Sequence, residues 1–206
     1  MVLTKKQQAA LVGMILGDGY LQKTGTRNAR LRLEHSWKQK DYLEWKIKLL
    51  PQLFQGKPKK VERVHPISKR KYVYYRIQSN ASPYLGKLRK VFYPENKKVI
   101  PENLERYLRH VLGLVVWYCD DGYYYPRDRH SILYLGKVSV KEGKITQRIF
   151  RKFIGIQGRI KDKKEKGLAL YFTPQETLQF KIKTANFIPP MMFYKFPPDP
   201  VETHSR

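Results

Sequence analysis

Two stretches decide the fold: LVGMILGDG at residues 11–19 and LVVWYCDDG at residues 114–122. Each is an apolar run that finishes in Asp-Gly, at Asp18-Gly19 and at Asp121-Gly122. A continuous apolar run reads as a buried helix, and a glycine past the last turn is a common stop. Residues 5–18 are therefore predicted helical up to Gly19, and residues 107–120 helical up to Gly122. Small residues recur at Ala10, Gly13 and Gly17 in the first helix, and at Gly113 and then Asp120 in the second. Such positions let two helix backbones approach closely. Side-by-side, parallel packing would bring Asp18 and Asp121 together. Helix dipoles are negative at that end and like charges repel, so the pair calls for a cation. Two carboxylates beside carbonyls freed at helix ends form a hard oxygen site suited to Mg²⁺. Facing a basic groove, it can hydrolyse phosphodiesters through a metal-activated water.

Outward from these helices the chain repeats itself. After the first come predicted strands near 19–23 and 29–35, a helix over 38–54, strands near 59–65 and 71–78, and a helix near 82–92. After the second come strands near 122–125 and 132–140, a helix near 144–154, strands near 157–163 and 167–172, and a helix near 174–187. YRIQSNASPYLGKL (75–88) and LYFTPQETLQFKI (170–182) share the order strand, turn, helix. The expected organisation is an N-terminal half at 1–94, a connector at 95–106, a C-terminal half at 107–197 and a tail at 198–206. Each half reads αββαββα, giving an α/β saddle with helices on one face of each sheet. Alternating strands leave the other face polar. Its expected side chains are Arg30, Arg32, Glu34, Tyr72, Tyr74 and Arg76 in the first half, and Tyr134, Arg159, Lys161 and Tyr171 in the second. Arg and Lys interleaved with Tyr suit a surface laid along nucleic acid.

Composition narrows the partner. The 206 residues hold 42 Lys and Arg against 17 Asp and Glu, a formal net charge of +25. Residues 1–100 carry 23 basic and 6 acidic groups; residues 101–206 carry 19 and 11. A surface that basic repels itself unless a polyanion neutralises it, so nucleic acid is the first candidate partner. No apolar run approaches the roughly 20 residues of a spanning helix, which rules out a transmembrane protein. An anionic membrane surface ranks second to nucleic acid as a partner, so no membrane partner is expected. Cys119 is the only cysteine, which excludes a disulfide scaffold. The start, MVLTKKQQ, lacks the apolar stretch of a secretory signal and the Arg- and Ser-rich character of a transit peptide. The expectation is an intracellular protein in the compartment that holds its host genome: mitochondrion, chloroplast or prokaryotic cytoplasm.

LVGMILGDG and LVVWYCDDG resemble the two copies of the LAGLIDADG motif of homing endonucleases. GMILGDGYL (13–21), ENKKVIPENL (95–104), WYCDDG (117–122) and FIPPMMFYKFP (187–197) resemble the two-motif, single-chain, intron-encoded members of that family, of the omega type known from yeast mitochondria. The resemblance implies a monomer with its motif helices at the centre of the saddle. It implies that Asp18 and Asp121 are the catalytic carboxylates and bind Mg²⁺, or Mn²⁺, with Gly17 and Asp120 adding backbone carbonyls. Lys98 and Lys195 match the family's active-site lysines, where they would stabilise phosphate charge or order the attacking water. The implied activity is site-specific cleavage of a long, asymmetric double-stranded DNA target, leaving short 3′ overhangs. The same fold also serves RNA maturases that assist intron splicing, so intron RNA is an alternative partner. A catalytically degenerate DNA-binding regulator is a third reading, which the presence of both aspartates and both lysines disfavours.

Three departures stand out. Val116 replaces the motif's third-position glycine in the second copy, which shifts the expected close contact toward Gly113. One extra aromatic in MMFYKFP blurs the register of Lys195, and Lys97 neighbours Lys98. The five histidines show no ligand spacing, so no zinc site is expected. Cys119 reads as a small buried residue, and Trp37, Trp45 and Trp117 as core or interface anchors. Residues 161–167, KDKKEKG, read as a charged hairpin turn.

Overall fold

The computed structural model describes residues 2–198. Its elements run α1 (Lys5–Leu16), β1 (Tyr20–Thr24), β2 (Asn28–Ser36), α2 (Lys40–Leu49), β3 (Lys59–Val64), β4 (Lys71–Gln78) and α3 (Pro83–Phe92). The same order then recurs as α4 (Leu112–Asp121), β5 (Gly122–Tyr125), β6 (His130–Gly136), α5 (Val140–Ile154), β7 (Arg159–Asp162), β8 (Leu168–Phe172) and α6 (Pro174–Thr184). Two four-stranded antiparallel sheets result, ordered β1-β2-β4-β3 and β5-β6-β8-β7. Alternation fixes their faces. On β2, Ala29, Leu31, Leu33 and His35 are buried while Arg30, Arg32 and Glu34 point the other way. A one-residue slip would turn the leucines to solvent, so the pattern specifies the register. Among the described residues no helix is long and apolar enough to cross a membrane.

Several boundaries differ from the sequence reading, each for a local reason. Gly17, not Gly19, caps α1, with φ −83° and ψ −128°. The Gly19 amide then donates back to the Met14 carbonyl at 2.7 Å. The second motif helix starts at Leu112 rather than 107: residues 107–111 are turn, bend and irregular backbone, and the His110 ring accepts from the Leu112 amide at 3.1 Å. The expected helix over 38–54 is shorter: Trp37–Gln39 is a 3-10 turn and α2 ends at Leu49. Leu50 precedes Pro51, a position that disfavours helix. β6 stops at Gly136, which has φ +75°, and α5 begins early. Ser139 and Glu142 form a capping box at its start, which satisfies two amides that would otherwise lack partners. Trp117 is buried, but Trp37 is 58% exposed and is no core anchor. Residues 161–167 span the end of β7 and a 3-10 turn, Lys164–Lys166. The expected tail from 198 onward lies outside the described residues, apart from Pro198.

α1 and α4 pack with their backbones in contact. A side chain on Gly13 would collide with the Gly113 carbonyl, one on Gly113 with the Ala9 carbonyl, and one on Gly17 with the Asp120 side chain. The contacts climb both helices together, so the helices are parallel and their C-terminal ends coincide. The close approach sits at Gly113, as the loss of glycine at Val116 suggested. Gly13→Ala must therefore push the helices apart. Overpacking of this kind costs about 1–3 kcal/mol, occasionally more, and at this chain length each kcal/mol is worth roughly 2–4 °C. Thermal unfolding followed by circular dichroism should show that fall. An unchanged melting temperature would mean a looser helix pair.

Candidate active site at the paired helix ends

The coincident helix ends gather the charged groups that the two motifs supply. The last carbonyls of a helix lack internal partners and sit at its negative end. Here each end is met by one lysine. Lys98 Nζ donates to the Gly17 carbonyl at 2.5 Å. Lys195 Nζ donates to the Cys119 and Asp120 carbonyls at 2.6 and 3.0 Å. Lys97 is exposed, so Lys98 is the lysine of that pair that reaches the helix end. The extra aromatic near 195 does not displace the second lysine. Burial lowers both ammonium pKa values, and the surrounding aspartates work against that. A cleft of about 550 Å³ opens beside them, lined by Gly17, Lys98, Trp117 and Asp121 among others.

The carboxylates are not equivalent. Asp18 lies just past α1 with its side chain 44% exposed. Its pKa is raised, first by desolvation in the groove and then by Asp120. Asp121 closes α4, and its pKa is pushed up to about 7 by burial and by the charges of Asp120 and Asp18. Among the described residues nothing hydrogen-bonds or ion-pairs with the Asp121 carboxylate. Asp120 does something the sequence reading missed, because its side chain turns back into the α1–α4 interface and is fully buried. One oxygen accepts from Lys46 Nζ at 2.6 Å and from the Tyr42 hydroxyl at 2.8 Å. The other accepts from the Asp18 backbone amide at 3.0 Å. Burial alone would raise the Asp120 pKa, but Lys46, His35 and these hydrogen bonds outweigh it and the pKa is lowered.

Lys46 also reaches His35 Nε2 at 3.0 Å, and His35 Nδ1 lies 3.7 Å from the Asp18 carboxylate. Burial, then the Lys46 charge, lowers the His35 pKa to about 4. Asp18, His35 and Asp120 thus cluster at metal-ligand spacing. Lys46 already occupies that cluster as its cation, so a divalent ion there would meet an ammonium. The oxygen donors that no ammonium holds are the Asp18 and Asp121 carboxylates, which fit a hard divalent cation; the Gly17 and Asp120 carbonyls beside them accept from Lys98 and Lys195. Burial holds the Cys119 thiol well above its ordinary pKa, which leaves no nucleophile there.

A family model for the LAGLIDADG DNA endonuclease family matches residues 8–180. The chain belongs to that family. A probable intron-encoded endonuclease 1 of Wickerhamomyces canadensis is 31% identical over 120 residues, 58% of this chain and 51% of its own length. A Protein RecA of Mycolicibacterium flavescens is 28% identical over 213 residues, 95% of this chain and 47% of its own. The chain spans about half the length of the curated relatives it matches. The structure of the homing endonuclease I-WcaI bound to its DNA recognition sequence aligns with a TM-score of 0.84 at 25% identity. That alignment covers 95% of this chain and 87% of the other.

In this LAGLIDADG chain the sheet faces opposite the core carry the expected polar residues together. Register sets Glu34 opposite Arg76 and Ser36 opposite Tyr74, so Arg30, Arg32, Glu34, Tyr72, Tyr74 and Arg76 share one face. Glu34 is held by Arg76 Nε at 2.5 Å and Arg63 Nη2 at 2.6 Å. It orders two guanidinium groups, which leaves it little freedom as an acceptor. On the second sheet Arg159 pairs with Tyr171, and Tyr134 and Lys161 both face Ala169. Lys161 Nζ stands 3.7 Å from the Tyr171 ring centre. Alternation carried into β1, β3 and β5 adds residues the sequence reading passed over: Tyr20, Gln22, Arg63, Tyr123 and Tyr125. Gln22 Oε1, Thr24 Oγ1, Asn28 Oδ1 and Arg30 Nε are shielded without partners along the β1–β2 ribbon.

Proposed function

We propose that this chain is a site-specific homing endonuclease that binds a long, asymmetric double-stranded DNA target and breaks both strands by metal-dependent hydrolysis. One observation carries the reading: two carboxylates at coincident helix ends, with one lysine at each end, between two basic sheet faces. I-WcaI, described as bound to its DNA recognition sequence, supports DNA as the partner. Asp18 and Asp121, with the Gly17 and Asp120 carbonyls, would hold Mg²⁺ or Mn²⁺. When bound, such a cation neutralises phosphate charge and makes water acidic enough to attack. Lys98 and Lys195 would donate hydrogen bonds to the phosphate as negative charge builds on it. The 3′ oxygen would leave and 5′-phosphate ends would result, with short 3′ overhangs. The sheet faces would hold the duplex, Arg and Gln reading base edges and lysines gripping phosphates. The halves differ in sequence, so a monomer would read a non-palindromic site, in the compartment holding its host genome.

The test is cleavage of a diversified duplex library with Mg²⁺ and with EDTA, using wild type, Asp18→Asn and Asp121→Asn, with sequencing of the recovered ends. One long asymmetric site, cut only with metal and by neither variant, is the expected result. Tight binding without cutting would point to a regulator. Binding of structured RNA in place of duplex DNA would point to a maturase.

A further inference from the structure

The two aspartates of the site are held differently, and the difference has consequences for the order of cutting. Asp18 is approached from two sides: by Asp120 from across the pseudo-twofold axis, and by His35 from its own half. Asp120 fixes its backbone amide at 3.0 Å, and His35 Nδ1 faces its carboxylate at 3.7 Å. Both grips converge on Lys46, which donates to Asp120 at 2.6 Å and lies 3.0 Å from His35 Nε2. An ammonium has three donors and no acceptor. Nε2 must therefore accept, and the ring proton sits on Nδ1, 3.7 Å from the Asp18 carboxylate and also within hydrogen-bond reach of the Gln39 side chain. Tyr42, one turn before Lys46 on α2, anchors the same Asp120 oxygen. The equivalent grip on Asp121 cannot form, because position 17, the counterpart of Asp120, is a glycine whose missing side chain lets Asp120 in. Among the described residues the Asp121 carboxylate has no hydrogen bond or ion pair.

We propose that Lys46 and His35 are positioning residues that preorganise Asp18 alone, so that the two strands are cut unequally and the strand served by Asp18 goes first. A group already held in its working geometry loses less freedom in reaching the transition state. The kinetic part rests on the endonuclease reading; the geometric part does not.

Two measurements separate them. The first is ¹⁵N NMR of the histidine rings in the free protein. Wild type should show His35 as the Nδ1–H tautomer, and Lys46→Met should return it to the Nε2–H form. An Nε2–H ring in wild type would overturn the clamp whatever the enzyme does. The second is cleavage of the cognate duplex with each strand end-labelled. Wild type should accumulate one nicked species. His35→Phe, which keeps the ring shape, should slow that strand at least about tenfold and the other less than about threefold. Equal slowing of both strands, or none, would overturn the proposal. Absence of any cutting by wild type would instead sink the endonuclease reading, with the tautomer result still deciding the clamp.

Discussion

Asp121→Asn should abolish double-strand cleavage and, without divalent metal, make the protein more stable at pH 8. The activity loss follows from removing one of the two open carboxylates, and at least about a thousandfold is expected for a group that acts with its partners as a unit. The stability gain follows from linkage. The Asp121 pKa in the folded chain is about 7, above the ordinary carboxylate value of 3.8. Between about pH 4 and pH 7 the folded state therefore keeps a proton that the unfolded chain has released. Stability must fall as pH rises through that window, and the full penalty stands above it. A shift of that size corresponds to on the order of a few kcal/mol, and asparagine removes it. A rise in apo melting temperature of roughly 5 °C or more at pH 8 is expected, shrinking to nothing near pH 4. Mg²⁺ should stabilise wild type at pH 8 and the variant far less. A variant less stable than wild type at pH 8 would show that Asp121 is not held against its charge.

The strain that this variant would relieve was legible in the sequence, because two Asp-Gly helix ends in equivalent positions place like charges at like dipole ends. The shift of close contact to Gly113 was legible too, since Val116 leaves no other small residue at that level. Lys98 and Lys195 needed the family resemblance, as each is one lysine in a very basic chain. Period-two alternation placed Arg30, Arg32 and Glu34 on one face. It could not show that Glu34 is taken by Arg63 and Arg76, because cross-strand register is not written in any one strand. Least legible was the His35–Lys46–Asp120 network. Residues 38–54 read as an amphipathic helix carrying Tyr42, Trp45, Leu49 and Leu53, yet the fully buried members of α2 are Tyr42, Leu43 and Lys46. A lysine is almost never fully buried without a partner, and that partner stands 74 residues further along the chain. The helix starts were lost for a different reason. Ser139 and Glu142 spell a capping box, but Ser139 also fits the end of an alternating strand over 132–140.

Lys46→Met should destabilise the protein more than a typical surface or boundary substitution. Its ammonium and the Asp120 carboxylate are both fully shielded from solvent. Removing one member of a buried pair leaves the other charge uncompensated, which costs about 3–5 kcal/mol. The melting temperature should drop by roughly 6–20 °C. Asp120 would retain Tyr42 and the Asp18 amide, but neither carries a positive charge. Adding Asp120→Asn to Lys46→Met removes both charges; the amide oxygen can accept from the Asp18 amide, and the amide NH2 can donate to the Tyr42 hydroxyl, which itself donates to the Val116 carbonyl. At least half of the lost stability should return, so the double-mutant cycle gives a large coupling between positions 46 and 120. The recovered double variant should nonetheless lose the strand preference, because His35 no longer has a donor to fix its tautomer. Stability would thus be restored without the clamp, which separates the packing role of the pair from its hold on Asp18. Additive effects of the two substitutions would show that Lys46 and Asp120 do not share one buried interaction.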